Sequence, residues 1–169
     1  HVLGGGIVDG AAILVGGEPG VGKSTLLLQL AAAPGLTVGG GRVLVFSGEE
    51  SVGQIGIRAR RVGAALPTVE VAAGRDVAAA VAGVDSRDYR LVIVDSIQTM
   101  VAEGIDGAAG GVTQVRECTS RLIAAAKRSG TPVVLVGHVT KDGGLAGPKM
   151  IEHMVDVVLH LDGSDFEGL

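Results

Sequence analysis

The chain has 169 residues, enough for a single domain, 1–169, with a core of its own. Its net charge of −4 excludes a protein whose whole surface is basic, so any positive charge toward a nucleic acid must be local or come from an assembly. Hydrophobic residues make up 47%, which excludes a chain disordered by composition, and aromatics only 2%, which favours buried parallel strands under Ala-rich helices over an aromatic-rich sandwich.

Residues 11–17, "AAILVGG", form a short apolar run stopped by glycine and read as a buried strand. Residues 23–33 are rich in Ala and Leu with no breaker, and Pro34 and Gly35 end them, so they read as a helix. "RVLVFSG" (42–48) is a second buried strand. Residues 51–65 open on Ser51 as an N-cap and place Ile55, Ala59 and Val62 on one helical face. "TVEVAA" reads as a short strand, 76–84 as a short helix and "RLVIVDS" (90–96) as a third buried strand. Residues 104–111 are rich in Gly and Ala and are expected to be mobile. Residues 113–129 form a longer helix with Val115, Leu122, Ile123 and Ala126 inward. "TPVVLVGH" is a fourth buried strand and 155–161 a fifth.

Strands alternating with helices imply an α/β fold: a mostly parallel central sheet with helices on both faces. No apolar run reaches the roughly 20 residues of a membrane span. No signal-peptide pattern opens the chain, and the single Cys118 cannot close an intrachain disulfide, which fits a cytoplasmic protein.

"GGEPGVGKST" supplies the first chemistry. Gly17, Glu18, Pro19, Gly20, Val21, Gly22, Lys23 and Ser24 match G-x-x-x-x-G-K-[ST], between a strand and a helix as that motif requires. Glycines let consecutive N–H groups turn inward around an anion, and the helix N-terminus adds its positive end. Lys23 brings a point charge to the β- and γ-phosphates. Ser24 offers a hydroxyl to Mg²⁺, and Thr25 reaches a more distal phosphate. Asp95 ends an apolar strand, where its carboxylate emerges beside the phosphate loop and can hold Mg²⁺ through water. Glu49 and Glu50 also follow a strand. A carboxylate there can deprotonate a water in line with the γ-phosphate, or it can be a surface acid at a helix start.

"VLVFSGEESVGQIGIRARRVG", "LVIVDSIQTM", "GGVTQVRE" and "LVGHVTKDGGLAGPKMIEHMVDVVLHLDG", together with the phosphate loop, resemble the ATPase core of the bacterial RadA/Sms family. The blocks follow that family's order over nearly the whole chain. Asp9 stands where the family would place a proline. The resemblance implies a RecA-like P-loop NTPase that binds ATP and Mg²⁺, hydrolyses ATP in a hexameric homo-oligomeric ring around DNA, and drives branch migration in recombinational repair as DnaB-type helicases drive strand separation. It makes Glu49 the catalytic base and His138 the polar sensor of the γ-phosphate. The family's zinc ribbon would precede residue 1, and its KNRFG motif and Lon-protease-like domain would follow residue 169. A chain without that motif is expected to hydrolyse ATP slowly and to respond little to DNA.

Two loops are candidates for the pore of such a ring, 103–111 and 139–150. The first has no Lys or Arg. The second carries Lys141 and Lys149, which would meet DNA phosphates without reading sequence. Arg58, Arg60, Arg61, Arg116 and Arg121 read as solvated or subunit-facing. Phe46 and Tyr89 read as core or strand-end residues rather than a stacking platform. Two rivals remain at this stage: a small-molecule P-loop kinase, for which no Arg-rich lid is present, and a nucleotide-binding structural module with negligible turnover.

Overall fold

The computed structural model describes residues 6–139 and 147–163. Six strands form one sheet: β1 (Ala12–Gly17), β2 (Val43–Ser47), β3 (Val69–Ala73), β4 (Leu91–Asp95), β5 (Val133–His138) and β6 (Val157–Leu161). The order is β3-β2-β4-β5-β1-β6, and every pairing is parallel. The helices are α1 (Lys23–Ala31), the short α2 (Pro34–Thr37), α3 (Val52–Arg61), α4 (Val77–Asp85) and α5 (Val112–Ser129). Among the described residues no helix is long and apolar enough to cross a membrane.

The period-2 alternation of strand side chains splits the core into two layers. Leu14, Leu44, Val92, Val94 and Leu135 pack with Val77, Ala80, Cys118 and Leu122 of α4 and α5. Ile13, Val15, Val45, Ile93, Val134 and Val136 pack with Leu27, Leu28, Ile55 and Ala59 of α1 and α3 on the other face. Both faces of the central strands are covered, which is why those strands read as unbroken apolar runs.

Ser51 caps α3 as expected, in a reciprocal box with Gln54: Gln54 N–H donates to Ser51 Oγ (3.2 Å), and Ser51 N–H to Gln54 Oε1 (2.9 Å). Cys118 is fully buried, and burial pushes its thiol up to about 11, so it packs rather than reacts. Phe46 is buried. Tyr89 donates its hydroxyl to Glu70 Oε2 (2.5 Å) beneath the Arg42 guanidinium, 5.1 Å from the ring centroid.

Three expectations need correcting. Pro34 stops α1 but also opens α2, because proline's fixed φ suits a first helical turn. The last strand is an edge rather than a buried strand. Among the described residues it pairs only with β1, and all its residues are half-buried or exposed. The Gly/Ala-rich loop after β4 is tied down by the buried side chain of Gln114. Gln114 Oε1 accepts from Ala102 N–H (2.8 Å), and its Nε2 donates to the carbonyls of Ile105 (2.7 Å) and Gly107 (3.2 Å).

Candidate nucleotide site

β1, β2, β4 and β5 run in one direction, so their carboxyl ends share one edge of the sheet, where ligands bind in folds of this kind. The loop after β1 turns through Gly20 (φ +81°) and Gly22 (φ +100°), conformations that only glycine adopts without strain. Gly22 caps α1 without a side-chain bond, which leaves the first N–H groups of the helix facing outward for an anion. A Cβ on Gly17 would lie 2.6 Å from the Leu161 carbonyl oxygen.

Lys23 opens α1 and is 3% exposed. Its Nζ donates to the carbonyls of Gly17 (2.8 Å) and Glu18 (2.7 Å). Burial holds this ammonium below the usual lysine value, and Asp95 and Glu49 partly offset the effect. At the next residue, Ser24 Oγ donates to Asp95 Oδ2 (2.5 Å). Asp95, at the end of β4, is 7% exposed, and burial raises its carboxyl above the usual range against the opposing bond from Ser24.

Glu49 sits in the turn after β2. Ser47 Oγ accepts from the N–H groups of Glu49 (3.3 Å) and Glu50 (3.1 Å), and Gly48 N–H donates to the Asp95 carbonyl (2.9 Å). A Cβ on Gly48 would come within 2.1 Å of Thr99 Oγ1, so the turn is pressed against the segment that follows β4. Glu49 Oε1 accepts from Ser96 Oγ (2.8 Å) and from His138 Nε2 (2.8 Å). An ionised carboxylate only accepts, so Nε2 carries the ring proton. The His138 bond, then the Ser96 bond, hold the Glu49 carboxyl below its usual range, with burial opposing them.

A cavity of about 320 Å³ opens among these groups. Pro19, Gly20, Gly22, Lys23, Ser24 and Thr25 line it with Glu49, Glu50 and His138. Of the other phosphate-loop residues, Gly17 and Glu18 give their carbonyls to Lys23. The Val21 side chain lies against Gly17 and Gly163 instead. A larger hollow of about 740 Å³ lies beside Tyr89, Arg90, Thr131 and Pro132 and is lined by none of these groups.

The donors suit a hard divalent cation. Asp95 Oδ1 is buried with no partner among the described residues, on the carboxylate that takes the Ser24 hydroxyl, and an all-oxygen set of this kind fits Mg²⁺. Glu49, Asp95 and His138 each bring one ligand atom to within 4.8 Å of the others. Of the two lysines expected to meet DNA, Lys149 is not among the residues that line the cavity. Lys149 is exposed in the turn Pro148–Met150, and Lys141 is outside the described residues.

Sequence reasoning missed four contributors. Arg58, expected on the sequence pattern to be solvated or subunit-facing, lines the cavity and pairs with Glu50 (2.5 Å). Its place two turns into α3, after Glu50, was the available signal. Ser47, Ser96 and Gln98 carry no motif of their own. Their only signal was adjacency to Glu49 and Asp95.

A model of the AAA domain family matches residues 1–144. The chain belongs to the AAA domain family. This AAA domain is 52% identical over 165 residues to the DNA repair protein RadA of Mycobacterium tuberculosis, covering 96% of this chain and 34% of that protein. Against RadA of Brucella abortus it is 52% identical over 168 residues, 96% of this chain and 36% of the relative. Against RadA of Bacillus subtilis it is 48% identical over 163 residues, 96% and 35%. The AAA domain thus spans about a third of the length of these curated relatives, and its resemblance to the RadA ATPase core runs through nearly all of its own length.

Proposed function

We propose that this AAA domain is an ATP hydrolase that works on DNA in recombinational repair. The supporting observation is the convergence of Lys23, Ser24, Glu49 and His138 on one cavity, with Asp95 bonded to Ser24 behind it and within 4.8 Å of Glu49 and His138. The loop N–H groups and Lys23 would bind the β- and γ-phosphates. Ser24 and, through water, Asp95 would hold Mg²⁺, which when bound neutralises developing phosphate charge. Glu49 would take a proton from the attacking water. His138, already donating to Glu49, would exchange that partner for a γ-phosphate oxygen. Residues 1–169 would act as one module, and Lys149 with Lys141 in the segment 139–150 would carry the DNA contact inside a hexameric ring that drives branch migration.

The test is Glu49→Gln. Steady-state ATP hydrolysis should fall by about 10²-fold or more, with ATP still binding in the presence of Mg²⁺. Residual hydrolysis unchanged from the parent protein would remove Glu49 as the base and return the site to a nucleotide-binding role.

A further inference from the structure

The turn just after Asp95 touches both groups on which the proposed hydrolysis depends. Ser96 is 0% exposed and Gln98 7% exposed, so neither side chain is an idle surface polar group. Ser96 Oγ donates to Glu49 Oε1 (2.8 Å). His138 Nε2 donates to the same oxygen (2.8 Å). Two donors on Oε1 leave Oε2 as the oxygen able to take a proton from water.

Gln98 acts on the other partner. The pairing of β4 with β5 ends at Asp95↔Val136, two residues short of His138. There the Gln98 side chain takes the place of a neighbouring strand. His138 N–H donates to Gln98 Oε1 (3.0 Å), and Gln98 Nε2 donates to the His138 carbonyl (2.8 Å). On its other side His138 is still in register with Gly17 of β1. The turn itself is held by Ile97, 1% exposed, and by Thr99 Oγ1 donating to the Ser96 carbonyl (2.8 Å).

We propose that Ser96 and Gln98 are positioning residues for ATP hydrolysis: Ser96 sets which carboxylate oxygen Glu49 presents to water, and Gln98 fixes the strand end that carries His138. The proposal rests on the reading of Glu49 as the base. One short turn thereby keeps the base and the sensor in a common frame, and small displacements of such groups are costly to rate.

Hydrolysis by Ser96→Ala measures the first half. The expected result is a fall in kcat of about 10-fold, with KM for ATP within about twofold of the parent, because the phosphate loop is untouched. Combined with Glu49→Gln, Ser96→Ala should lower the rate no further, since its effect passes through the Glu49 carboxylate. Gln98→Glu keeps the side chain's shape and its acceptor but loses the donor to the His138 carbonyl. It should lower kcat with KM retained and shift the His138 ring signals in the NMR spectrum. Melting temperatures of both variants guard against loss of fold. A Ser96→Ala kcat equal to the parent's, or an equal loss in the Glu49→Gln background, would overturn the Ser96 role. Unchanged His138 signals and kcat in Gln98→Glu would overturn the other. Full activity of Glu49→Gln alone would instead sink the hydrolysis reading beneath both.

Discussion

Two glycine-rich loops follow strands at the same edge of the sheet, and each is organised by one buried side chain from the first turn of the next helix. In the phosphate loop the side chain is Lys23, 3% exposed, donating to the carbonyls of Gly17 and Glu18. In the loop before α5 it is Gln114, 1% exposed, donating to the carbonyls of Ile105 and Gly107 and accepting from Ala102 N–H. An ammonium carries charge and has no acceptor, so an incoming phosphate competes for its protons with an advantage the carbonyls lack. A primary amide is neutral and is matched to donors and acceptors at once, so no anion offers it better partners. On the proposed reading, the first loop would exchange its internal bonds for a ligand, and the second would keep them.

The sharpest way to break this contrast is Lys23→Ala. ATP hydrolysis should drop by about 10²-fold or more and nucleotide affinity should fall with it, while the melting temperature changes little. Retained affinity in a nucleotide titration would show that the two loops do not differ in kind. Gln114→Ala should do the reverse. It strands several buried backbone groups, costing about 1–3 kcal/mol of stability, or roughly 2–4 °C in Tm per kcal/mol, with KM for ATP unchanged. Thermal melts beside steady-state kinetics would read both quantities.

A smaller effect tests the glycines of the second loop. Gly107 has φ +103°, so Gly107→Ala should cost about 1–2 kcal/mol, measured by urea unfolding, without altering nucleotide binding. The smallest effect concerns pH. Hydrogen bonds from His138 and Ser96 lower the Glu49 carboxyl below its ordinary 4.5. Its ionised form therefore contributes stability that is fully present above 4.5 and is lost as pH falls through the lower folded value. The stability difference between the parent and Glu49→Gln should stay level from about pH 7 to about pH 5 and shrink only in stronger acid, followed by denaturant melts across that range.

Much of this arrangement is legible in the amino-acid sequence. Unbroken runs such as "RLVIVDS" announce strands covered on both faces, and the phosphate-loop motif carries its own strand–turn–helix context. Asp95 and Glu49 were legible because a polar residue ending an apolar strand has one edge of the sheet to reach. The remainder depended on partners far apart in sequence. Gln114 reads as an ordinary polar residue in the first turn of a helix until Ala102 and Gly107 fold against it. Ser96 and Gln98 gain meaning only when β5 lies between β1 and β4 and brings His138 alongside. The edge position of β6 was hidden because Val157–Leu161 is as apolar as a central strand, and period alone does not say which strands have neighbours on both sides.

The carbonyl of Gly17 has one more consequence. It accepts from Lys23 Nζ (2.8 Å) and also from Val139 N–H (3.0 Å). A carbonyl oxygen has two lone pairs, and here both are engaged by groups with different loyalties. One donor is the cation that a phosphate would recruit. The other is the first residue of the segment leading to Lys149. Were a phosphate to draw the cation away, that oxygen would be left to Val139 alone, so the end of β5 and the phosphate loop would answer to the nucleotide through a single shared atom.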